Sequence, residues 1–553
     1  MDNKTIARAF KLCGQLMELH NENPFRTKAI ASASFKIDKL PISAATASLE
    51  ELSAQPGIGK STAERIKQIV ETGSFPELDS WIAKTPEGIL EMLKIKGLGP
   101  KKIQIIWHTL EIESVGELYY ACNENRLVEA KGFGLKTQEE IKKAIEFSLD
   151  NQGWFLYAKV LPSAEVIIQG LQKHLEGRQI SYTGDFRRKM EILQQIEIIA
   201  EANLPELQEA ILKITEAIHV EVSENILSFL DENGFPFRIY VSDKNNFAKD
   251  LLLTTGSASH LALLKEIRTE LPSLPSESEI YSSLGLAFIE PELREGLDEI
   301  NLAKEDQLPT LITFSDLKGT LHNHSTYSDG VHSLAEMARF CKEDLGLEYL
   351  GICDHSKTAV YANGLSIDRL QQQWAEIDSL NESLAPFKIF KGIESDILSD
   401  GSLDYPDEIL AQFDFVVASV HSNLKMDEDK ATTRLLKAIE NPYTKILGHP
   451  TGRLLLSRAG YSLDFKKIID ACAANNVVIE INANPLRLDL DWRWHRYALE
   501  KGVLLSINPD AHRTEGLLDM HYGVFVGRKG GLSKEKCLNA FSLEEITEFF
   551  NKK

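Results

Sequence analysis

The sequence predicts a multidomain protein with a helical N-terminal region, an α+β middle region and a C-terminal α/β barrel. A chain of 553 residues is too long for a single hydrophobic core. Residues 1–150 are mostly helical in pattern, with short glycine turns, and residues 151–310 mix strand and helix patterns. In residues 315–553, short β-branched runs alternate with amphipathic helices, which is typical of βα units around a parallel sheet or barrel.

Composition narrows the class of protein. We expect neither a membrane span nor a secretory signal, because charges interrupt every apolar run and also the first helix. The six cysteines form no CxxC pair, which predicts a cytoplasmic protein without disulfides or a thiolate zinc site. The net charge of −21 counts mildly against DNA binding, but local patches and bound metal ions decide what happens at a phosphate.

The helical region contains a degenerate repeat in which Gly-hydrophobic-Gly precedes a helix with lysines in its first turns. Glycines allow a tight turn, and the N–H groups at a helix N-terminus attract phosphate. One copy could be an ordinary turn, but three copies favour phosphate binding. This element resembles the helix-hairpin-helix, which grips DNA without reading its sequence. The predicted contacts are Gly57, Gly59, Lys60, Gly97, Gly99, Lys101, Lys102, Gly132, Gly134 and Lys136.

The C-terminal region places a His, Asp or Glu at the end of one predicted strand after another. In βα barrels these ends meet at one rim, where catalytic groups gather. A single histidine after a strand is usually structural, but six of the nine histidines after residue 310 occupy such ends. The motif GTLHNHSTYSDG also has His322 and His324 two residues apart, so both can face one ion.

This region resembles the PHP family, named for polymerase and histidinol phosphatase, whose members have a distorted seven-stranded βα barrel and commonly bind three metal ions. The family's nine ligands correspond in order to His322, His324, Asp329, His355, Glu394, His421, His449, Asp510 and His512. The resemblance implies one ion held by His322, His324, Glu394 and Asp510, a second held by Glu394, His421 and His449, and a third held by Asp329, His355 and His512. Imidazole and carboxylate ligands suit manganese, zinc or iron.

Three residues are candidates for catalysis at this rim. Glu394 would bridge two ions, and Lys357 and Arg453 would contact the phosphate. For the last two, a surface salt bridge is an equally good interpretation.

Residues 1–310 resemble the bacterial X-family DNA polymerases, through FRTKAIASASFKIDKLP, the glycine turns and LLLTTGSASH. That family's palm carries Gly-Ser-x-Arg-Arg, an Asp-x-Asp pair and a third Asp, which hold magnesium. The matching positions here are Gly184, Asp185, Arg187, Arg188, Gln195, Glu197 and Arg238. Two of the three carboxylates are absent, so we expect neither magnesium at the palm nor nucleotidyl transfer.

The predicted domains are residues 1–90 (N-terminal DNA-binding domain), 91–150 (helix-hairpin-helix region), 151–310 (degenerate palm and thumb) and 315–553 (PHP phosphoesterase). The predicted function is metal-dependent 3′→5′ exonuclease or 3′-end processing activity in DNA repair. The expected partner is gapped or primer-terminal DNA of any sequence. Three alternatives stay open: an active repair polymerase with an exonuclease barrel, a small-molecule phosphatase such as one acting on histidinol phosphate, and a DNA-binding scaffold. The sequence leaves the oligomeric state open.

Overall fold

The computed structural model describes residues 1–95, 97–128, 130–149 and 153–552, the side chains of 146–149 excepted. The chain divides into two units, Met1–Asn151 and Gln152–Lys553, and each is described here by itself. Among the described residues, no helix combines the length and apolar character that crossing a bilayer requires. The predicted fold class is confirmed, whereas the finer domain boundaries stay predictions.

The first unit is helical throughout its regular structure. Asn23 caps its second helix by accepting from the N–H of Phe25, with Pro24 in the first turn, and Gly73 ends the fourth helix at φ +84°. The helices are α1 Asn3–Leu19, α2 Pro24–Asp38, α3 Leu49–Ser53, α4 Lys60–Thr72, α5 Pro76–Lys84, α6 Glu87–Met92, α7 Pro100–His108, α8 Val115–Asn123 and α9 Leu135–Leu149.

The second unit begins with the α+β region. Its main sheet has the order β2-β4-β7-β6-β5, in which β4 and β7 run parallel and the other neighbours antiparallel. A buried apolar cluster lies between this sheet and helices α10 and α12. The elements are β1 Phe155–Leu156, α10 Tyr157–His174, β2 Ile180–Tyr182, α11 Gly184–Arg187, β3 Ile192–Leu193, β4 Ile196–Glu201, α12 Leu204–Ile214, β5 Ile218–Ser223, β6 Ile226–Leu230, β7 Pro236–Ser242, α13 Phe247–Thr255, α14 Ala258–Ile267, α15 Glu277–Ser283 and α16 Glu299–Lys304.

The barrel follows within the same unit. Residues 319–508, all of which the structure describes, contain seven parallel strands in sequential order. Most of these strands are buried along their whole length, as expected for a parallel sheet covered by helices. The elements are β8 Gly319–Thr320, α17 Leu334–Arg339, β9 Tyr349–Ile352, α18 Ile367–Leu384, β10 Lys388–Asp396, α19 Asp407–Leu410, β11 Phe415–Ser419, α20 Glu428–Ile439, β12 Thr444–Leu447, α21 Phe465–Asn475, β13 Val478–Asn482, α22 Trp492–Glu500, β14 Leu505–Asn508, α23 Met520–Lys529 and α24 Leu543–Asn551.

One isolated parallel bridge, Asn323 to Ala511, joins the segments that follow the first and last strands. The barrel is therefore nearly closed, and the carboxyl ends of its strands surround one rim.

Candidate metal centre

The predicted metal ligands follow the carboxyl ends of the barrel strands. His322 follows β8, Glu394 lies near the end of β10, His449 follows β12 and Asp510 follows β14. These four side chains are all buried. Buried ionisable groups are rarely stable without partners, so this rim requires an electrostatic explanation.

Backbone pairing at the barrel seam positions the two histidines of the HNH motif. The N–H of His324 donates to Ala511 O at 2.9 Å, and Asn323 O accepts from the N–H of Cys353 at 2.7 Å. The segment therefore continues in extended form beyond β8, and the rings of His322 and His324 lie 5.4 Å apart.

Glu394 is the centre of the cluster. Its two oxygens lie close to five imidazoles, each from a different position along the chain. From Oε1 the distances are 3.0 Å to His421 Nε2, 3.0 Å to His449 Nε2 and 3.3 Å to His322 Nε2; from Oε2 they are 3.0 Å to His355 Nδ1 and 3.6 Å to His324 Nε2.

Two further carboxylates complete the arrangement. Asp329 lies 3.3 Å from His512 Nε2 and 3.6 Å from His355 Nε2. Asp510 Oδ1 lies 3.0 Å from His324 Nε2. All nine predicted ligands thus belong to one connected cluster.

The donor atoms fall into compact groups whose members lie within 4.8 Å of one another. Among the described residues of the barrel, these groups are His324, Asp329, His355 and His512; His322, His324 and Asp510; and His355, Glu394 and His421. His324 and His355 each belong to two groups, which differs from the partition implied by the family resemblance. The assignment of ligands to individual ions therefore stays a prediction.

The cluster contains buried polar atoms that the described residues leave without a hydrogen bond. They include His322 Nε2, His324 Nδ1, Asp329 Oδ2 and Glu394 Oε2. Such atoms are costly when unsatisfied, and imidazole with carboxylate is the donor set that transition ions prefer. The residues present therefore fit divalent metal ions.

The histidine tautomers lead to the same conclusion. His421 Nδ1 lies 2.5 Å from Asp396 Oδ1, and a carboxylate can only accept there. The lone pair of His421 Nε2 then faces Glu394, so a cation or a proton must lie between them. Burial disfavours the proton, but Glu394 and Asp396 outweigh burial and raise the pKa of His421 to about 10.

Charge coupling shifts the other titratable groups in several directions. Burial would raise the pKa of Glu394, but the imidazoles of His421 and His322 hold it well below its usual range. Burial, with His512 and His355 nearby, lowers the pKa of His324 to about 3. Glu394 is therefore ionised and His324 neutral, which are the forms that bind metal.

Carboxylates outside the ligand set orient the imidazoles. Glu480 Oε1 accepts from His322 Nδ1 at 2.7 Å, as Asp396 does from His421. Asp354, beside His355, does not share this role, because its carboxylate accepts from Ser325 and other loop donors. It fixes the loop that leads to Asp329. No local sequence pattern predicts these bonds, because Asp354 and Ser325 lie 29 residues apart.

The two predicted phosphate contacts differ in environment. Lys357 is exposed, with Nζ 5.5 Å from the ring of Tyr405. Arg453 donates from Nε to Arg487 O at 2.8 Å and from Nη1 to Asp491 Oδ2 at 2.7 Å, and its Nη2 bonds Leu488 O. These bonds weigh against a phosphate role for Arg453, whereas the phosphate contact of the exposed Lys357 stays a prediction.

The assignment of the degenerate polymerase site stays a prediction, and its matched metal positions contain one carboxylate where the resemblance implies three. Glu197 accepts from Tyr240 Oη at 2.9 Å and from Gln195 Nε2 at 3.2 Å, and it pairs in register with Arg238 on β7. Gly184 has φ +59°, and a Cβ there would lie 1.7 Å from Glu197 Oε2. The turn therefore packs tightly against Glu197, and the other two predicted metal positions carry the neutral Gln195 and the cationic Arg238.

The paired arginines of this site are engaged by carboxylates. Arg187 forms a bidentate pair with Glu277 at 2.6 and 3.0 Å. Arg188 bonds Glu295 at 3.0 Å and also Asp185. Sequence reasoning missed both glutamates because they lie about 90 or more residues away, and no local pattern marks them.

The glycine turns of the first unit have the predicted conformation. Gly57, Gly97 and Gly132 have φ of +79°, +92° and +91°, which favours glycine. A Cβ at Gly59 or Gly99 would meet nothing within 4 Å, so those helix N-termini are open to an approaching group. Gly134 immediately precedes α9. The side chains of Lys60, Lys101 and Lys136 are exposed, and that of Lys102 is half-buried.

Comparison with known families identifies domains in both units. Residues 1–75 match a helix-hairpin-helix domain, residues 89–146 a SAM-like helix-hairpin-helix tandem, and residues 320–484 a PHP domain.

Whole-chain similarity connects these domains. The DNA polymerase/3′-5′ exonuclease PolX of Bacillus subtilis (strain 168) is 35% identical over 577 residues, covering 100% of both chains. A probable phosphatase of Thermoanaerobacter sp. (strain X514) is 26% identical over 243 residues, covering 42% of this chain and 94% of that protein. A probable phosphatase of Caldanaerobacter subterraneus is 28% identical over 203 residues, covering 34% of this chain and 74% of that protein. The full-length match, with the helix-hairpin-helix and PHP domains in the same order as the predicted parts, shows that this chain belongs to the PolX family of X-family DNA polymerase/3′-5′ exonucleases.

Proposed function

We infer that this protein is a metal-dependent phosphoesterase that shortens DNA from its 3′ end during repair, and that its palm does not polymerise. The observation that carries this proposal is the nine-residue cluster around Glu394, of which eight side chains are buried. The full-length relative is named as both a polymerase and a 3′-5′ exonuclease. The site residues here support the second of these activities.

The chemistry at the cluster depends on groups held in defined protonation states. When bound, the metal ions would lower the pKa of a water molecule and withdraw charge from the phosphoryl oxygens. Glu480 accepts a hydrogen bond from Nδ1 of His322, and Asp396 accepts one from Nδ1 of His421. These bonds hold a proton on each Nδ1 and direct each Nε2 towards Glu394. Lys357, exposed two residues after His355, supplies a positive charge for the incoming phosphate.

The DNA would be held mainly by non-specific contacts to its backbone. The open helix N-termini after Gly59 and Gly99, with exposed lysines beside them, suit phosphate groups. Gapped or primer-terminal DNA is the proposed substrate, and manganese, zinc or iron the proposed ions. Buried free cysteines suit the reducing cytoplasm in which such DNA lies.

The test is a primer assay. Purified protein is incubated with a 5′-labelled primer–template and Mn²⁺, with and without dNTPs. Shortening without extension is expected, and His322→Ala combined with Glu394→Ala should abolish it. The matched control is His219→Ala with Glu221→Ala, an exposed pair on β5 whose loss should change nothing. Absence of shortening, or shortening that survives loss of His322 and Glu394, would refute the proposal; extension would restore the polymerase alternative.

A second candidate, phosphatase activity on small molecules, is favoured by the barrel-length match to probable phosphatases. A free phosphomonoester would then be hydrolysed faster than DNA, and DNA affinity would not depend on salt.

A further inference from the structure

The loop that follows His355 is closed at its base. The N–H of Ser356 donates to Glu394 O at 3.0 Å, and the N–H of Leu365 donates to His355 O at 2.9 Å. Within the loop, a Cβ on Gly364 would lie 2.0 Å from Ser356 O. The loop is therefore tied to two metal-ligand segments and packed against itself.

This loop displays two apolar side chains beside the metal cluster. Ala359 and Ala362 are fully buried and anchor it, whereas Val360 between them is 82% exposed. The half-buried ring of Tyr361 lies 6.2 Å from the ring of His355, centre to centre. A single exposed valine is unremarkable on a surface, but this one belongs to an anchored loop that begins at His355, five residues before it.

A third apolar residue is bonded through its backbone to the same group of ligands. Val331 lies two residues after Asp329, and its N–H donates to His512 O at 2.7 Å. Its side chain is 42% exposed. Apolar groups therefore adjoin all three members of the set Asp329, His355 and His512, and the ammonium of Lys357 is exposed in the same loop.

We propose that Tyr361, Val360 and Val331 form a subsite for the terminal nucleobase of the DNA strand, with the scissile phosphate near Glu394. This inference rests on the proposed function. Every nucleobase has an apolar face that can stack on an aromatic ring, whatever the DNA sequence. The phosphate of the same nucleotide needs positive charge, which the metal site and Lys357 would supply. The combination of an apolar rim, one lysine and the metal cluster matches a nucleotide, and a simple phosphomonoester would leave the rim unused.

The test measures the contribution of the terminal base to binding separately from that of the rest of the strand. Two primer–templates are compared, one with a normal 3′-terminal nucleotide and one whose terminal nucleotide lacks its base. The wild type should have a higher KM for the abasic end. Tyr361→Ala should raise KM for the normal end by about 5- to 150-fold, the range expected for loss of one stacked base. The two KM values should then become similar.

Control variants exclude general damage. Tyr361→Phe keeps the ring and should preserve the difference in KM. Val360→Ala should reduce that difference, whereas Val166→Ala, at a 57% exposed valine on α10, should not affect it.

A binding measurement that does not depend on catalysis uses 2-aminopurine as the terminal base, with EDTA present to prevent cleavage. Its fluorescence should change on binding to the wild type and to Tyr361→Phe, but not to Tyr361→Ala. The inference is overturned if the wild type treats both ends alike, or if Tyr361→Ala keeps the difference in KM and the fluorescence change. Failure of the wild type to shorten either DNA would instead overturn the proposed function, and the inference with it.

Discussion

Glu480 offers the sharpest test of how the protein supports its metal centre. This buried carboxylate accepts from His322 Nδ1 at 2.7 Å, from the N–H of His449 at 2.7 Å and from Asn508 Nδ2 at 3.1 Å. Glu480→Gln preserves the shape of the side chain but removes its charge. One of its two new amide hydrogens must then face a group that is itself a donor.

The expected loss of metal affinity follows from those hydrogen bonds. A hydrogen bond to a charged group contributes about 1.5–3 kcal/mol, and a carboxylate that orients a ligating histidine contributes about 10- to 100-fold to metal affinity. The two scales agree, because 10- to 100-fold corresponds to about 1.4–2.8 kcal/mol. We therefore expect Glu480→Gln to weaken Mn²⁺ binding by 10- to 100-fold on this scale.

The assay is competition between the protein and a chelator of known affinity, followed by DNA shortening as a function of Mn²⁺ concentration. The variant should require more Mn²⁺ and should regain activity at high concentration. Glu299→Gln is the matched control, because Glu299 also lies 2.7 Å from a buried histidine, His260, far along the chain from the cluster. An unchanged affinity in Glu480→Gln, or an equal loss in Glu299→Gln, would refute this account of the site.

Three other predictions address binding, protonation and stability. Replacing Lys101 and Lys102 by alanine should reduce the slope of log K for DNA against log salt by about two, measured by fluorescence anisotropy; an unchanged slope would exclude these phosphate contacts. Because His421 has a pKa of about 10, Mn²⁺ must displace its proton at neutral pH, so affinity should rise about tenfold per pH unit between pH 6 and 8 in calorimetric titrations, and a flat profile would contradict this. Glu295→Gln leaves the buried ammonium of Lys529 without its carboxylate and should lower the free energy of unfolding by about 3 kcal/mol in urea melts, whereas an unchanged midpoint would show that the pair contributes little.

The convergence of the predicted ligands was predictable because parallel strands deliver their carboxyl ends to one rim. His449 after β12 and Asp510 after β14 needed only strand periodicity to be placed there. The sharing of His324 and His355 between groups was not predictable, since it depends on side-chain rotations that no spacing encodes. The bonds of Arg453 to Asp491 and Leu488 were hidden for a related reason, because a loop about 35 residues away supplies them.

The degenerate palm illustrates a different limit of sequence reasoning. The residues of TGDFRR predict a relation to a polymerase motif but not the contacts that this stretch makes. Arg188 bonds Glu295, which also pairs with Lys529 at the end of barrel helix α23, and Lys529 Nζ donates to Arg188 O at 3.2 Å. An arginine aligned with a polymerase motif thus belongs to a buried ionic network that reaches the barrel. Removing one charge from such a network lowers the free energy of unfolding by more than the intact network raises it, because the remaining charges stay buried without partners. Packing against the barrel therefore accounts for Arg188, and the pair with Glu277 accounts for Arg187, so neither arginine by itself implies nucleotidyl transfer.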